Sequence, residues 1–116
     1  MGTLKGFAWN CGGLRAGTAP SHTKAMYFEK TFKNDFDIYF FIETHHRTQS
    51  EIPAEILRYQ HTHHIIDSTA TEDEKYTGII GLVSKDFEIR KITHLIKGRI
   101  LNIKMTKQRE IYRLYI

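Results

Sequence analysis

Two residues carry oxygen donors at the ends of apolar, aromatic-bearing runs: Asn10, which closes LKGFAW, and Glu43, which closes DIYFFI. A side-chain amide oxygen and a carboxylate brought together make a minimal site for a hard divalent cation. Magnesium takes oxygen donors at about 2.0 to 2.1 Å, keeps several waters, and is often held by one or two carboxylates plus substrate phosphate. Gly12 and Gly13 follow Asn10 closely and allow the backbone to turn without crowding a phosphate. Arg15 stands just beyond, with a guanidinium suited to a phosphodiester oxygen. Blander readings stay open for the same residues: Asn at a strand end also hydrogen-bonds its own turn, and Glu there is also a solvated charge.

Other reactive side chains are less promising. Cys11 has no His, Asp or Lys arrangement of catalytic type around it and reads as a small buried cysteine. The histidines at 45, 46, 61, 63 and 64 lack the CxxC or HExxH spacing of a zinc site, and alternation sets His61 and His63 on one face with His64 on the other. A solvated or partly buried cluster is expected. His46 lies near Glu43 in sequence and could touch substrate on that ground alone. Lys85, Lys91, Lys97, Arg99 and Lys104 are spread among strands and read as solvated faces.

The elements that must position Asn10 and Glu43 follow from periodicity. Leu4 to Trp9 reads as a buried strand running into the Gly12-Gly13 turn. From Thr23, residues Ala25, Phe28 and Phe32 fall at helical spacing, with Asn34 as the stop. DIYFFIE, apolar on both faces, suits a strand buried between layers. A short helix is expected over Pro53 to Tyr59, strands over HHIIDS and GIIGLVS, and an exposed loop over TATEDEKYT. EIRKITHLI, RILNIKM and EIYRLYI then alternate with period two, with turns at Lys97-Gly98 and TKQR, and predict an antiparallel meander. The fold class is α/β grading into α+β, a layered domain with late antiparallel strands.

Composition is that of one folded domain: 116 residues, 41% hydrophobic, 26% charged and two prolines. The net charge of +4 leans toward an anionic partner without specifying one. A single cysteine requires no oxidising compartment, and no apolar stretch approaches a membrane span or a signal peptide, so an intracellular setting is expected, nucleus and cytoplasm undistinguished.

In order, the segments WNCGGLRAG, DIYFFIETHH, YTGIIGLVSKDFEI, KGRILNIKM and EIYRLYI resemble the metal-dependent endonuclease/exonuclease/phosphatase superfamily, nearest to abasic-site-type endonucleases and the endonuclease domains of non-LTR retrotransposons. The resemblance implies a four-layer αββα sandwich of which residues 1–116 supply the N-terminal half. It implies Asn10 and Glu43 as ligands for Mg2+ or Mn2+, Glu43 as the catalytic carboxylate, and Thr44 orienting that acid. Arg15, a candidate nucleic-acid contact, matches a motif position, as do Gly98 and Arg99. Gly12 stands where some abasic-site enzymes carry a further acid, which puts a second metal position in doubt.

The family's later motifs, Gly-Asp-x-Asn and a terminal Asp-His pair, have no counterpart, since neither dipeptide occurs. The final run also stops at Ile116 without a turn residue or cap, so the expectation is a truncated domain, inactive alone. Its partner would be DNA, with no membrane. A half-sandwich would leave its inner sheet face open to self-association. The alternative is a non-catalytic half-domain acting as a nucleic-acid or protein interaction module.

Overall fold

The run Ile38–Ile42 dictates the layering, because four of its five residues are buried and such a strand needs a layer on each side. The computed structural model, which describes residues 4–32, 36–74 and 76–116, supplies both layers. In chain order the elements are β1 (Gly6–Asn10), α1 (Ala19–Phe32), β2 (Ile38–Ile42), α2 (Ala54–Leu57), β3 (His63–Ser68), β4 (Ile79–Ser84), β5 (Glu88–Ile96), β6 (Ile100–Lys107) and β7 (Glu110–Tyr115). Short 3-10 turns occupy Gln49–Glu51 and Arg58–His61. The first four strands form a mixed sheet in the order β1-β2-β4-β3, with β1 parallel to β2 and β4 antiparallel to both its neighbours. Strands β5, β6 and β7 form the separate antiparallel meander.

Helix α1 starts at Ala19, earlier than periodicity predicts, because the cap lies upstream. Thr18 Oγ1 accepts the Ser21 N–H at 3.4 Å, and Pro20 suits a first turn. Asn34, the expected stop, lies outside the described residues.

Alternation along β2 divides the core in two. Tyr39 and Phe41, with Ile80 and Leu82 of β4, face the helical layer. Phe28 of α1 closes that side, its ring 4.9 Å from Phe41 and 5.2 Å from Tyr39, both edge-on, the geometry aromatic quadrupoles prefer. Ile38, Phe40, Ile79 and Val83 face the other way, onto Leu101, Ile103 and Met105 of β6. The meander therefore covers the inner face of the mixed sheet, which corrects the expectation that this face is left open. Among the described residues the layers are α, β, β, and Lys91, Ile111, Arg113 and Tyr115 on the outer face of the meander are exposed.

The two sheets are tied together at the β5–β6 turn. The Gly98 N–H donates to Ser68 Oγ at 2.7 Å, and the Gly78 N–H donates to the Gly98 carbonyl at 2.8 Å. Gly98 of the KGR motif thus packs and bonds against the mixed sheet.

Among the clustered histidines, His63 is buried against the rings of Tyr39 and Tyr59. Burial pushes its pKa below the ordinary value, more than the backbone at Phe36 and the charge of Asp37 raise it. The unfolded chain then binds a proton that the folded chain refuses, so stability is full above the unfolded pKa and falls as pH drops toward the folded one. Urea denaturation at pH about 7.5 and about 5.5 should give the lower midpoint in acid, and His63→Gln should shrink that difference. An unchanged acid limb in the variant would assign the effect elsewhere.

Candidate metal centre and adjoining cleft

The parallel pairing of β1 with β2 sets Asn10 opposite Ile42, so the amide of Asn10 and the carboxylate of Glu43 leave from neighbouring strand ends one register step apart. Both residues are exposed. The two chain exits stay bonded past the sheet: the N–H groups of Cys11, Gly13 and Leu14 donate to the carbonyls of Ile42, Glu43 and Thr44 at 3.0, 2.7 and 2.8 Å. This close run explains Gly13, whereas Gly12 is required only by its backbone, at φ +57°. Gly13 has φ +107°, and a Cβ there would lie 3.0 Å from His45 Nδ1.

Glu43 itself has φ +58° and His45 φ +64°, left-handed conformations that cost a non-glycine residue about 1 kcal/mol or more. Strain of this kind gathers where a side chain must be aimed. The donor chemistry fits the expected ion. An amide oxygen and a carboxylate, both open to water, are hard ligands that leave room for the waters Mg2+ or Mn2+ retains. Among the described residues no three His, Cys, Asp or Glu side chains converge on a metal position.

Beneath Glu43 lies a network that sequence reasoning did not reach. Thr44 and His46 are fully buried, and Thr44 Oγ1 hydrogen-bonds His46 Nδ1 while His46 Nε2 is bound to Asp67 Oδ1. Both ring nitrogens are engaged, so His46 faces the interior and takes no substrate contact. The backbone joins in: Thr44 N–H donates to the Gly78 carbonyl at 3.1 Å, and Ala70 N–H to the His46 carbonyl at 2.8 Å. The segment carrying Glu43 is thereby held from below by β3 and the loop entering β4. The spacing of Thr44 and His46, two residues apart on a chain leaving a buried strand, was the available signal; Asp67, twenty-one positions on, was not.

A cleft of about 420 Å³ adjoins the strand ends, lined by the Gly12–Gly13 turn, Arg15, Lys24, His45, Arg47 and Tyr76 among others. Asn10 and Glu43 do not line it. Lys24 spends its ammonium on the turn, donating to the carbonyls of Cys11, Gly12 and Gly13 at 2.7, 3.2 and 3.0 Å. Arg15 Nε is 3.2 Å from Glu51 Oε2, which holds the guanidinium at the cleft wall. Cys11 is buried, donates to the Ile42 carbonyl at 3.3 Å, and has its thiol pushed up to about 11 by burial, which removes it as a nucleophile at neutral pH.

A helical layer, a mixed sheet ending in the Asn10 and Glu43 exits, and an antiparallel sheet beneath give this chain the sandwich fold of the endonuclease/exonuclease/phosphatase type. In particular, it is similar to TDP2 from Caenorhabditis elegans, with a TM-score of 0.70 and 21% identity over 97% of this chain and 34% of that one. A truncated form of the same protein matches with a TM-score of 0.70 and 20% identity, and this chain covers 44% of it. AP endonuclease LMAP from Leishmania major matches with a TM-score of 0.58 and 15% identity over 94% of this chain and 38% of that one. The chain thus spans about a third of the length of the TDP2 structure. The sequence matches no protein-family model, and no curated protein matches it. Among the described residues no helix is long and apolar enough to cross a membrane.

Proposed function

We propose that residues 1–116 are the N-terminal half of a metal-dependent phosphodiester hydrolase acting on DNA, of the endonuclease type carried by non-LTR retrotransposons. The observation that carries this reading is the pairing of Asn10 and Glu43 at adjacent parallel strand ends, with Glu43 in strained backbone over a buried, fully engaged Thr44-His46-Asp67 network. Asn10 and Glu43 would hold Mg2+ or Mn2+, which supplies polarisation of a phosphoryl oxygen when bound. The chain's own part is to aim the carboxylate, keep the turn at Gly12–Gly13 low beside the phosphate, and offer cations at the cleft. Arg15, set on the cleft wall by Glu51, is the contact for a DNA phosphate. The name of the AP endonuclease neighbour supports DNA as the substrate class.

The absence of Gly-Asp-x-Asn and Asp-His segments supports metal binding without turnover by this length of chain. Addition of Mn2+ to isotope-labelled protein should broaden amide resonances around Asn10 and Glu43 first, and plasmid should remain uncut. Glu43→Gln and Asn10→Ala should each weaken the broadening by roughly tenfold in Mn2+ concentration, a loss of about 1.4 kcal/mol. Broadening that is unchanged in both variants, or centred elsewhere, would remove the metal assignment.

A further inference from the structure

The turn after β1 directs three carbonyls at a single cation. The N–H groups of Cys11, Gly13 and Leu14 donate to the exit of β2, and the carbonyls of Cys11, Gly12 and Gly13 accept from the Lys24 ammonium at 2.7, 3.2 and 3.0 Å. Successive left-handed residues, Gly12 at φ +57° and Gly13 at φ +107°, let the three oxygens converge. An ammonium has three donors and no acceptor, so this one has none left for a substrate phosphate. Bonds of this charged kind are roughly twice as strong as neutral ones. Helix packing fixes where the ammonium can reach: Ala25 and Phe28 are buried, and the Phe28 ring lies 4.9 Å from that of Phe41.

The consequence falls on Asn10. Both peptide planes that flank Cys11 are fixed, one through the Cys11 N–H on the Ile42 carbonyl at 3.0 Å and the other through the Cys11 carbonyl on Lys24. The first of these planes carries the Asn10 carbonyl, so the direction in which Asn10 leaves β1 depends on both. The charges of Lys24 and Glu43 each reach the Cys11 thiol and the His45 ring, which sets this ammonium within electrostatic range of the metal position. As a bare charge, a lysine there would only repel a dication. As a tie on the turn, it would hold one arm of the dication's site.

We propose that Lys24 is a positioning residue of the metal centre, its ammonium seated in the carbonyls of Cys11, Gly12 and Gly13 as a built-in monovalent cation that sets Asn10 against Glu43. This rests on the reading of Asn10 and Glu43 as ligands of a divalent ion. The test uses Lys24→Met, which keeps the length of the side chain without its charge or donors, and Lys24→Ala, which opens the seat to a free amine. In the metal-free protein, amide hydrogen exchange at Cys11 and Gly13 should speed up roughly tenfold in Lys24→Met relative to Ile80 and Leu82 of β4, whose amides report opening of the whole domain. Line broadening around Asn10 and Glu43 should then need roughly tenfold more Mn2+. Propylammonium should restore both properties to Lys24→Ala. Tetramethylammonium at equal ionic strength, which has no N–H to donate, should restore neither. Mn2+ binding that is unchanged or tighter in Lys24→Met would overturn the proposal and leave Lys24 as a bare charge, as would a loss of protection shared equally by β4. Failure of the metal reading shows separately, in the parent: no broadening at Asn10 and Glu43 there would overturn that reading and the positioning role with it.

Discussion

Replacing His46 with alanine should destabilise the chain by about 3 to 5 kcal/mol, a large part of the stability of an ordinary domain. Three losses combine at one position. The imidazole leaves a cavity in a site with no exposure, Thr44 Oγ1 loses its partner while remaining buried, and Asp67 loses the group bound to its Oδ1. Asp67 is the less severely affected partner, because its side chain retains 15% exposure and water can reach it. His46→Gln, which retains a polar group but not both ring nitrogens, should fall between. Urea denaturation followed by circular dichroism reads the effect. A loss below about 1 kcal/mol for His46→Ala would mean that the network is dispensable and that Glu43 is held by the strand alone.

Gly78→Ala should be nearly as damaging, by about 2 to 6 kcal/mol, for a reason confined to the same few ångströms. Gly78 has φ +114°, which L side chains rarely adopt, and a Cβ there would lie 2.5 Å from Thr44 Oγ1 and 3.2 Å from His46 Nδ1. Something must shift, and the atoms in the way are buried and bonded. The two substitutions share this space, so they should not add: in a His46→Ala background the cavity accepts the displaced Thr44, and the further cost of Gly78→Ala should shrink by 1 kcal/mol or more, on the order of the coupling seen between contacting residues. A double-mutant cycle by urea denaturation measures it. Strict additivity would show that backbone strain at Gly78, rather than crowding of Thr44, is the whole effect.

Much of the scaffold was legible in the sequence because its signals are local. Two-sided apolarity marked β2, period two marked the meander, and Leu101, Ile103 and Met105 do share its buried face. The start of α1 was missed because its cap, Thr18, lies before the first apolar position. Asn10 and Glu43 could be singled out as strand-end residues, and the structure brings their strands together. What could not be read was everything decided by strand order. With β4 inserted between β2 and β3, Thr44 and His46 meet Gly78 and Asp67 from distant parts of the chain. The uncovered inner face was a wrong inference for the same reason: the strands that cover it come from this chain's own last third.

That insertion of β4 also bears on how the chain is made. β2 emerges from the ribosome with one edge ready for β1, but its other edge must wait for β4, with α2, β3 and the acidic loop synthesised in between. Throughout that interval the segment IYFFI has no partner on one side and no meander beneath it, while β3 has nothing to pair with at all. An aromatic strand kept waiting is the species that a holdase chaperone would bind, and slow translation between codons 43 and 78 would prolong its exposure. Pulse-labelled nascent chains stalled before Ile79 should therefore be protease-sensitive, and chains stalled once the meander through Tyr115 has cleared the ribosome should not be.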